Sequence, residues 1–141
     1  MIFELLKHTI NTILIKKREN IANDSDLLQI QKRGLFHKDI PSMKMVKEKT
    51  GERFYKLQEI FNQFDPIQGQ SIKKQPDKYE FITQTVIYRL PSKTTKVEIG
   101  KLLEFEFSLW FRHAYHKFDK KDDLIDNVYR FKRHYLMENP F

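Results

Sequence analysis

Hydrophobic residues recur through much of the chain every three or four positions, which is the spacing of an amphipathic helix rather than of a strand. This spacing predicts a first helix over residues 2–14, which gives way to the charged run KKREN. A second, shorter helix is predicted over residues 26–33, where Asp24 or Ser25 offers a cap and Gly34 a stop. The first part of the chain is therefore predicted to be helical.

A third helix is predicted to begin at Pro41 and to continue to residue 64. Proline suits the first turn of a helix, because its missing N–H would have no partner there in any case. Gly51 interrupts the pattern, and its low helix propensity weakens the prediction at that point. The polar residues 65–76 are predicted to form a loop.

Residues 79–90 satisfy two patterns at once. Thr83, Thr85 and Ile87 favour a strand by propensity. A helical stripe is formed by Tyr79, Ile82, Val86 and Leu90. A helix is predicted, because no partner strand is evident elsewhere in the chain, and Pro91 is expected to end it.

A long apolar helix is predicted next, capped by Ser92, Thr94 or Thr95 and extending to about Phe118. The last helix carries its apolar residues on one side, namely Leu124, Val128, Phe131 and Tyr135. With few glycines and no evident strand pairing, the chain is predicted to be all-α. The expected architecture is a single helical domain over residues 1–141, built as a bundle of four to five helices.

The long helix has apolar residues on two opposite sides. One side consists of Leu103, Phe107, Trp110, Phe111, Ala114 and Phe118. The other side consists of Leu102, Phe105, Leu109, His113 and His116. Such a helix must be covered on both sides, either by another helix of the chain or by a second copy. With only four or five helices available, a symmetric homodimer is predicted, with Leu102, Phe105, Leu109 and His116 at its interface.

Composition narrows the classes of function. The chain has 141 residues, of which 40% are hydrophobic, enough for one folded core. It contains no Cys, which excludes disulfides, a Cys nucleophile and Cys-based zinc sites, and fits a reducing compartment. The formal charge of +7 favours an anionic partner such as nucleic acid or an acidic protein. Since no apolar run is long enough to span a membrane and no signal-peptide pattern is present, a cytoplasmic protein without membrane contact is predicted.

No metal or other cofactor is predicted. His113 and His116 have a spacing that suits one helical face. Zinc, however, requires three or four ligands, and the sequence places no third ligand beside them.

The segment FSLWFRHAY, followed by KFDKKDDL, resembles the signature helix of the HEPN superfamily, and more closely that of HepT-like toxins. In that family an Arg precedes a His on a helix at a dimer interface, and the His is commonly followed by any residue and a Tyr. The resemblance covers roughly residues 79–124. It implies a HEPN-like helical bundle and metal-independent RNA cleavage in a cleft between two copies of the chain.

Residues of this chain match the motif in part. His113 and Tyr115 correspond to the His and the Tyr, and Arg112 to a basic residue that often precedes the His. By resemblance, Tyr115 is expected to accept a nucleotide from a partner nucleotidyltransferase antitoxin. Arg112 with His116 is an alternative to the Arg and His pair of the motif. The i,i+4 spacing of an α-helix would place both residues on one face.

Ser108 is where the chain departs from the family, since it occupies the position of the catalytic Arg. Metal-independent cleavage uses the 2′-hydroxyl of RNA as nucleophile, so it needs proton transfer, which suits His113, and positive charge at the phosphate oxygens. Ser108 can donate a hydrogen bond but brings no charge. A catalytic site of His113, Arg112 and Ser108 is therefore expected to be weakened, on the order of a hundredfold or more.

Near the end of the chain, the segment YRFKRHY mixes cationic and aromatic side chains. Its residues Arg130, Lys132, Arg133 and His134 are candidates for nucleic-acid binding, although a solvated basic helix face has the same pattern. Three hypotheses follow: a HepT-like toxin or defence protein that cleaves RNA, a non-catalytic nucleic-acid-binding subunit of a defence complex, or a regulatory bundle that binds an acidic protein.

Overall fold

The structure, a computed structural model, describes residues 36–69, 72 and 74–141, except for the side chains of Arg112 and His113. The two helices predicted over residues 2–14 and 26–33 lie outside the described residues. The chain divides into two compact units, Met1–Ile40 and Pro41–Phe141. The features below belong to the second unit, and the single domain over the whole chain stays a prediction.

Five α-helices make up most of the second unit. They are α1 (Met43–Thr50), α2 (Glu52–Phe64), α3 (Glu80–Arg89), α4 (Lys96–Phe111) and α5 (Lys121–Tyr135). Two 3₁₀ helices, Leu90–Ser92 and Arg112–Lys117, follow α3 and α4. Within the residues described there is no strand, so the all-α prediction is confirmed.

The helix predicted over residues 41–64 is in fact two helices, because the chain breaks at Gly51. Gly51 separates α1 from α2 with φ 57° and ψ −128°, a conformation that residues with a Cβ rarely adopt. The first helix is capped by Ser42, whose hydroxyl accepts a hydrogen bond from the Met45 N–H at 3.2 Å. The prediction of one continuous helix was therefore wrong, although its end at Phe64 is confirmed.

Residues 80–89 form a helix, so the strand alternative is wrong. The buried residues of α3 lie all around its axis, namely Ile82, Thr83, Gln84, Thr85, Val86 and Ile87. The hydroxyls of Thr83 and Thr85 donate to the carbonyl oxygens of Tyr79 and Phe81, one turn earlier, at 2.7 and 3.2 Å. These bonds satisfy the buried hydroxyls, so a central helix can contain residues that otherwise favour strands.

Thr95 and Glu98 cap the start of α4. The Thr95 hydroxyl accepts a hydrogen bond from the Glu98 N–H at 3.1 Å, and the Glu98 carboxylate accepts one from the Thr94 hydroxyl at 2.8 Å. Hydrogen bonding, foremost from the Thr94 hydroxyl, lowers the pKa of Glu98. Of the three caps that the sequence predicts, Ser92, Thr94 and Thr95, it is therefore Thr95 that caps the first turn of α4.

α4 ends at Phe111 and does not reach Phe118, so the predicted end of this helix was wrong. The chain continues as the 3₁₀ helix Arg112–Lys117. The Tyr115 ring stacks on the Phe107 ring, with centroids 4.7 Å apart and an interplanar angle of 11°. In a straight α-helix these two residues would be about 12 Å apart along the axis. The stack therefore requires the chain to turn back after Phe111.

α5 has the apolar face that its sequence pattern predicts, and it packs against α2 and α4. The buried residues of this face are Leu124, Val128 and Phe131. Gly100 allows α4 to approach α5 closely, since a Cβ at this position would lie 3.1 Å from Cδ1 of Ile125. A side chain at position 100 would therefore require the end of the Ile125 side chain to shift by a few tenths of an ångström.

The connection between α2 and α3 is fastened by Tyr79. Its hydroxyl donates to the Asp65 carboxylate at 2.5 Å and accepts from the Ile67 N–H at 3.0 Å. The Lys78 ammonium pairs with the same carboxylate at 3.0 Å. Burial, together with Asp65, raises the pKa of Tyr79, so the phenol remains a neutral donor. The described part of residues 65–76 contains no helix, as predicted for a loop.

Replacement of Gly51 by Ala tests the break between α1 and α2. A Cβ would meet no atom within 4 Å, so the penalty comes from the backbone conformation and not from a clash. We expect Gly51→Ala to lower the free energy of unfolding by about 1–3 kcal/mol, measured by urea denaturation. Lys49→Ala, at an exposed position near the end of α1, serves as control. Equal stability of the glycine variant and the wild type would contradict this explanation.

Candidate functional site

Four polar side chains converge where α4 ends and α5 begins, around the carboxylate of Glu104. One carboxylate oxygen, Oε1, accepts a hydrogen bond from the Ser108 hydroxyl at 3.5 Å and lies 3.7 Å from Nδ1 of His116. The other oxygen, Oε2, lies 3.5 Å from the ammonium of Lys121. We call Glu104, Ser108, His116 and Lys121 the Glu104 cluster.

Three different elements supply the Glu104 cluster. Glu104 and Ser108 are four residues apart on α4 and so share one face of it. His116 comes from the 3₁₀ helix, and Lys121 is the first residue of α5. The side chains of Glu104, His116 and Lys121 are 42, 60 and 30% exposed. The cluster is therefore accessible to a ligand from solvent.

Tyr115 forms the buried floor beneath this cluster. Its side chain is 1% exposed and stacks on Phe107, while the Lys121 ammonium lies 4.6 Å from the centroid of its ring. Burial raises the pKa of the Tyr115 phenol, and the negative charge of Glu104 raises it further. In this conformation the ring is enclosed, and the role of Tyr115 as acceptor of a nucleotide stays a prediction.

The predicted catalytic residues are only partly described. Ser108 belongs to the Glu104 cluster, whereas the side chains of Arg112 and His113 lie outside the described part of the structure. The alternative pair Arg112 and His116 was based on α-helical spacing, and that premise is wrong because the segment is a 3₁₀ helix. With three residues per turn, positions four apart lie about 120° apart around the axis.

The residues predicted to form a dimer interface lie in different environments. Phe105 and His116 are exposed and Leu109 is half-buried, but Leu102 is only 6% exposed within the chain. Leu102 therefore offers little surface to a second copy. The homodimer stays a prediction.

A second polar region is the groove between α2 and α5, with a volume of about 360 Å³. Arg130 and His134 line it from α5, whereas Lys56 and Glu59 line it from α2. Arg130 and His134 are one helical turn apart and therefore contact the same groove. Among the charged residues of the groove, the cations Lys56 and Arg130 outnumber the anion Glu59. We call this surface the α2–α5 groove.

The other two predicted nucleic-acid-binding residues lie elsewhere. The Arg133 guanidinium lies over the ring of Tyr129, 5.7 Å from its centroid, and borders a neighbouring depression together with Arg130 and His134. The Lys132 ammonium instead donates a hydrogen bond to the carbonyl oxygen of Lys93. The structure thus brings Arg130, Arg133 and His134 together, whereas the ammonium of Lys132 is hydrogen-bonded to the backbone before α4.

Sequence reasoning missed Glu104 and Lys121 as members of a site. The spacing of Glu104 and Ser108 was a usable signal, because residues four apart face each other on a helix. No sequence pattern links Lys121 to them, since that contact depends on how the chain turns between α4 and α5.

Glu106, on the same helix as Glu104, does not belong to the cluster. It is fully buried, and its carboxylate pairs with Arg89 at 3.3 Å.

Comparison of this chain with family models, curated proteins and solved structures gave no match. The HEPN resemblance therefore depends on the residues of the motif themselves. Among the side chains described in residues 36–69, 72 and 74–141, which do not include that of His113, no three His, Asp or Glu are grouped so that they could hold a metal ion. None of the helices in that part of the chain has the length and apolar character needed to cross a membrane.

The raised pKa of Tyr115 predicts a loss of stability in alkali. A tyrosine of the unfolded chain ionises near pH 10, whereas folded Tyr115 keeps its proton well above that value. The free energy of unfolding should therefore be unaffected by Tyr115 below pH 10 and should fall by about 1.4 kcal/mol per pH unit above it. Tyr115→Phe should make the alkaline fall in denaturation midpoint less steep. Tyr55→Phe, at an exposed tyrosine, controls for loss of a hydroxyl, and an unchanged slope in Tyr115→Phe would refute the assignment.

Proposed function

We propose that this protein is a HepT-like member of the HEPN superfamily, a cytoplasmic toxin or defence protein that acts on RNA. The observation that carries the proposal is the α2–α5 groove, where Lys56, Arg130 and His134 from two helices face the same space. Support from the sequence is the His-x-Tyr motif of His113 and Tyr115, which lies where α4 gives way to the 3₁₀ helix.

The α2–α5 groove suits the backbone of a single-stranded RNA. Arg130 brings a permanent charge and a planar guanidinium that can bind a phosphate through two hydrogen bonds. Next to it, Tyr135 and Tyr129 are half-buried rings at the borders of the two depressions. Cations alternating with aromatic rings are the combination by which proteins hold single strands without reading their sequence.

RNA cleavage is the finer part of the proposal. With Ser108 in place of the motif Arg, the site of His113 and Arg112 lacks one positive charge, and slow catalysis is expected. A homodimer would place two such sites near each other, and a nucleotidyltransferase antitoxin that modifies Tyr115 would inactivate them. A binding subunit without catalysis is the second candidate, and it is favoured by the same groove.

RNA affinity should depend on the arginines of α5. We expect Arg130→Ala and Arg133→Ala each to weaken binding of a fluorescent single-stranded RNA, measured by anisotropy over a range of salt concentrations. Each phosphate contact that is lost should lower the slope of log affinity against log salt by about 0.7. Lys132→Ala should have a smaller effect, because Lys132 is engaged with the carbonyl of Lys93.

Lys44→Ala is the matched control, since Lys44 is an exposed cation on α1, away from the groove. Equal losses in this control and in Arg130→Ala would mean that total charge, and not the groove, determines binding. A wild-type protein that binds no RNA at low salt would exclude the proposal and leave the regulatory bundle, whose acidic protein partner would occupy the groove instead.

A further inference from the structure

We propose that Glu104, His116 and Lys121 carry out RNA cleavage in this chain, as general base, general acid and phosphate-binding cation. The inference rests on the proposed action on RNA, but it places the chemistry in a set of residues different from Arg112 and His113. It is based on the geometry of the Glu104 cluster, where the His116 imidazole and the Lys121 ammonium both lie within 3.7 Å of the Glu104 carboxylate.

The three residue types are those that this reaction needs. A carboxylate can take the proton of the 2′-hydroxyl, and an imidazolium can give a proton to the departing oxygen. An ammonium ion stabilises the negative charge that develops on the non-bridging phosphate oxygens. Glu104, His116 and Lys121 provide one group of each kind within one small surface.

The proposed step is a transesterification. The Glu104 carboxylate removes the proton of the 2′-hydroxyl, and O2′ forms a bond to phosphorus. The bond between phosphorus and O5′ breaks, and its electron pair takes the proton from His116. The products are a 2′,3′-cyclic phosphate and a 5′-hydroxyl, with Glu104 protonated and His116 neutral. Proton exchange with water restores both residues, so the step requires no oxidant or reductant.

The cluster has room for a phosphate to enter. The Glu104 carboxylate contacts the His116 imidazole at 3.7 Å and the Lys121 ammonium at 3.5 Å. Because all three side chains are partly exposed, these contacts are weak in water. A phosphodiester can therefore replace the carboxylate as partner of His116 and Lys121. Glu104 then becomes available to the neighbouring 2′-hydroxyl.

Lys121 also explains how the chain can tolerate Ser108. The family motif implies a positive charge at that position, which Ser108 lacks. Lys121 brings an ammonium ion to the carboxylate with which the Ser108 hydroxyl is hydrogen-bonded. Its contact with the ring of Tyr115 holds that ammonium ion in place. The missing charge is thus supplied by a different helix.

The test measures cleavage of a labelled single-stranded RNA by the full chain in EDTA, with identification of the product ends. Glu104→Gln and His116→Ala should each lower kcat by on the order of 10²–10⁴. Lys121→Ala should lower it by on the order of 10²–10³, and Lys121→Arg should restore part of the loss. RNA affinity, measured separately by anisotropy, should be retained in all four variants, because the α2–α5 groove is intact.

A modified substrate distinguishes the general acid, His116, from the general base, Glu104. At the mapped cleavage position, a bridging sulfur replaces O5′, so that the leaving group no longer needs a proton. This substrate should restore cleavage by His116→Ala but not by Glu104→Gln. A purely structural role for His116 predicts no such rescue, and absence of the rescue would overturn its assignment as acid.

Controls are Glu48→Gln and Lys120→Ala, two exposed residues outside the cluster, which should cleave like the wild type. Thermal unfolding should be the same for the cluster variants and the wild type, since the altered side chains are partly exposed. This inference would be overturned if Glu104→Gln or His116→Ala kept full activity. It would also be overturned if, among these variants, only His113→Ala lost cleavage. Either result would leave the proposed function standing. RNA binding without cleavage would also overturn it, whereas absence of RNA binding would remove the proposed function itself.

Discussion

The stacking of Tyr115 on Phe107 is the contact on which the candidate site depends. Phe107 also makes edge contacts with Phe61 and Tyr79, at centroid distances of 5.6 and 5.9 Å, so it joins α2, the start of α3 and the end of α4. Because Tyr115 can reach Phe107 only if the chain turns back, the same contact ends α4 and directs the chain toward α5. Apolar packing beneath the surface thus determines the geometry of the polar groups above it.

The Glu104 cluster is a consequence of that turn. A helix continued to Phe118 would carry His116 and the start of α5 away from Glu104, at about 1.5 Å per residue. The 3₁₀ turn instead brings a histidine and a lysine to the same carboxylate. Tyr115 contributes twice, since its ring anchors the turn and also faces the ammonium of Lys121. Fold and candidate chemistry are therefore linked through one aromatic side chain.

Two surfaces of different chemical character lie on α5. Its first residue, Lys121, belongs to a cluster that combines a carboxylate, an imidazole and an ammonium group. Its last turns carry the cations Arg130 and Arg133 and the imidazole of His134, and all three lie beside aromatic rings. Affinity for a polyanion and chemistry on a phosphate make different demands, because the first needs net charge and the second needs proton donors and acceptors in contact. The separation of the two surfaces allows them to be altered independently.

The sequence by itself determined the all-α class, the helix over residues 80–89, the buried stripe of α5, a hydroxyl cap before α4 and the basic character of the end of α5. These features follow from local periodicity and from residues within one turn of each other, which a linear pattern contains. Only the tertiary structure decided the break at Gly51, the end of α4 at Phe111 and the meeting of Lys121 with Glu104. The break requires a backbone conformation that the spacing of apolar residues does not encode. The other two depend on an aromatic contact between residues eight positions apart, and such a contact competes with helix propensity in a way that the pattern of the sequence cannot resolve.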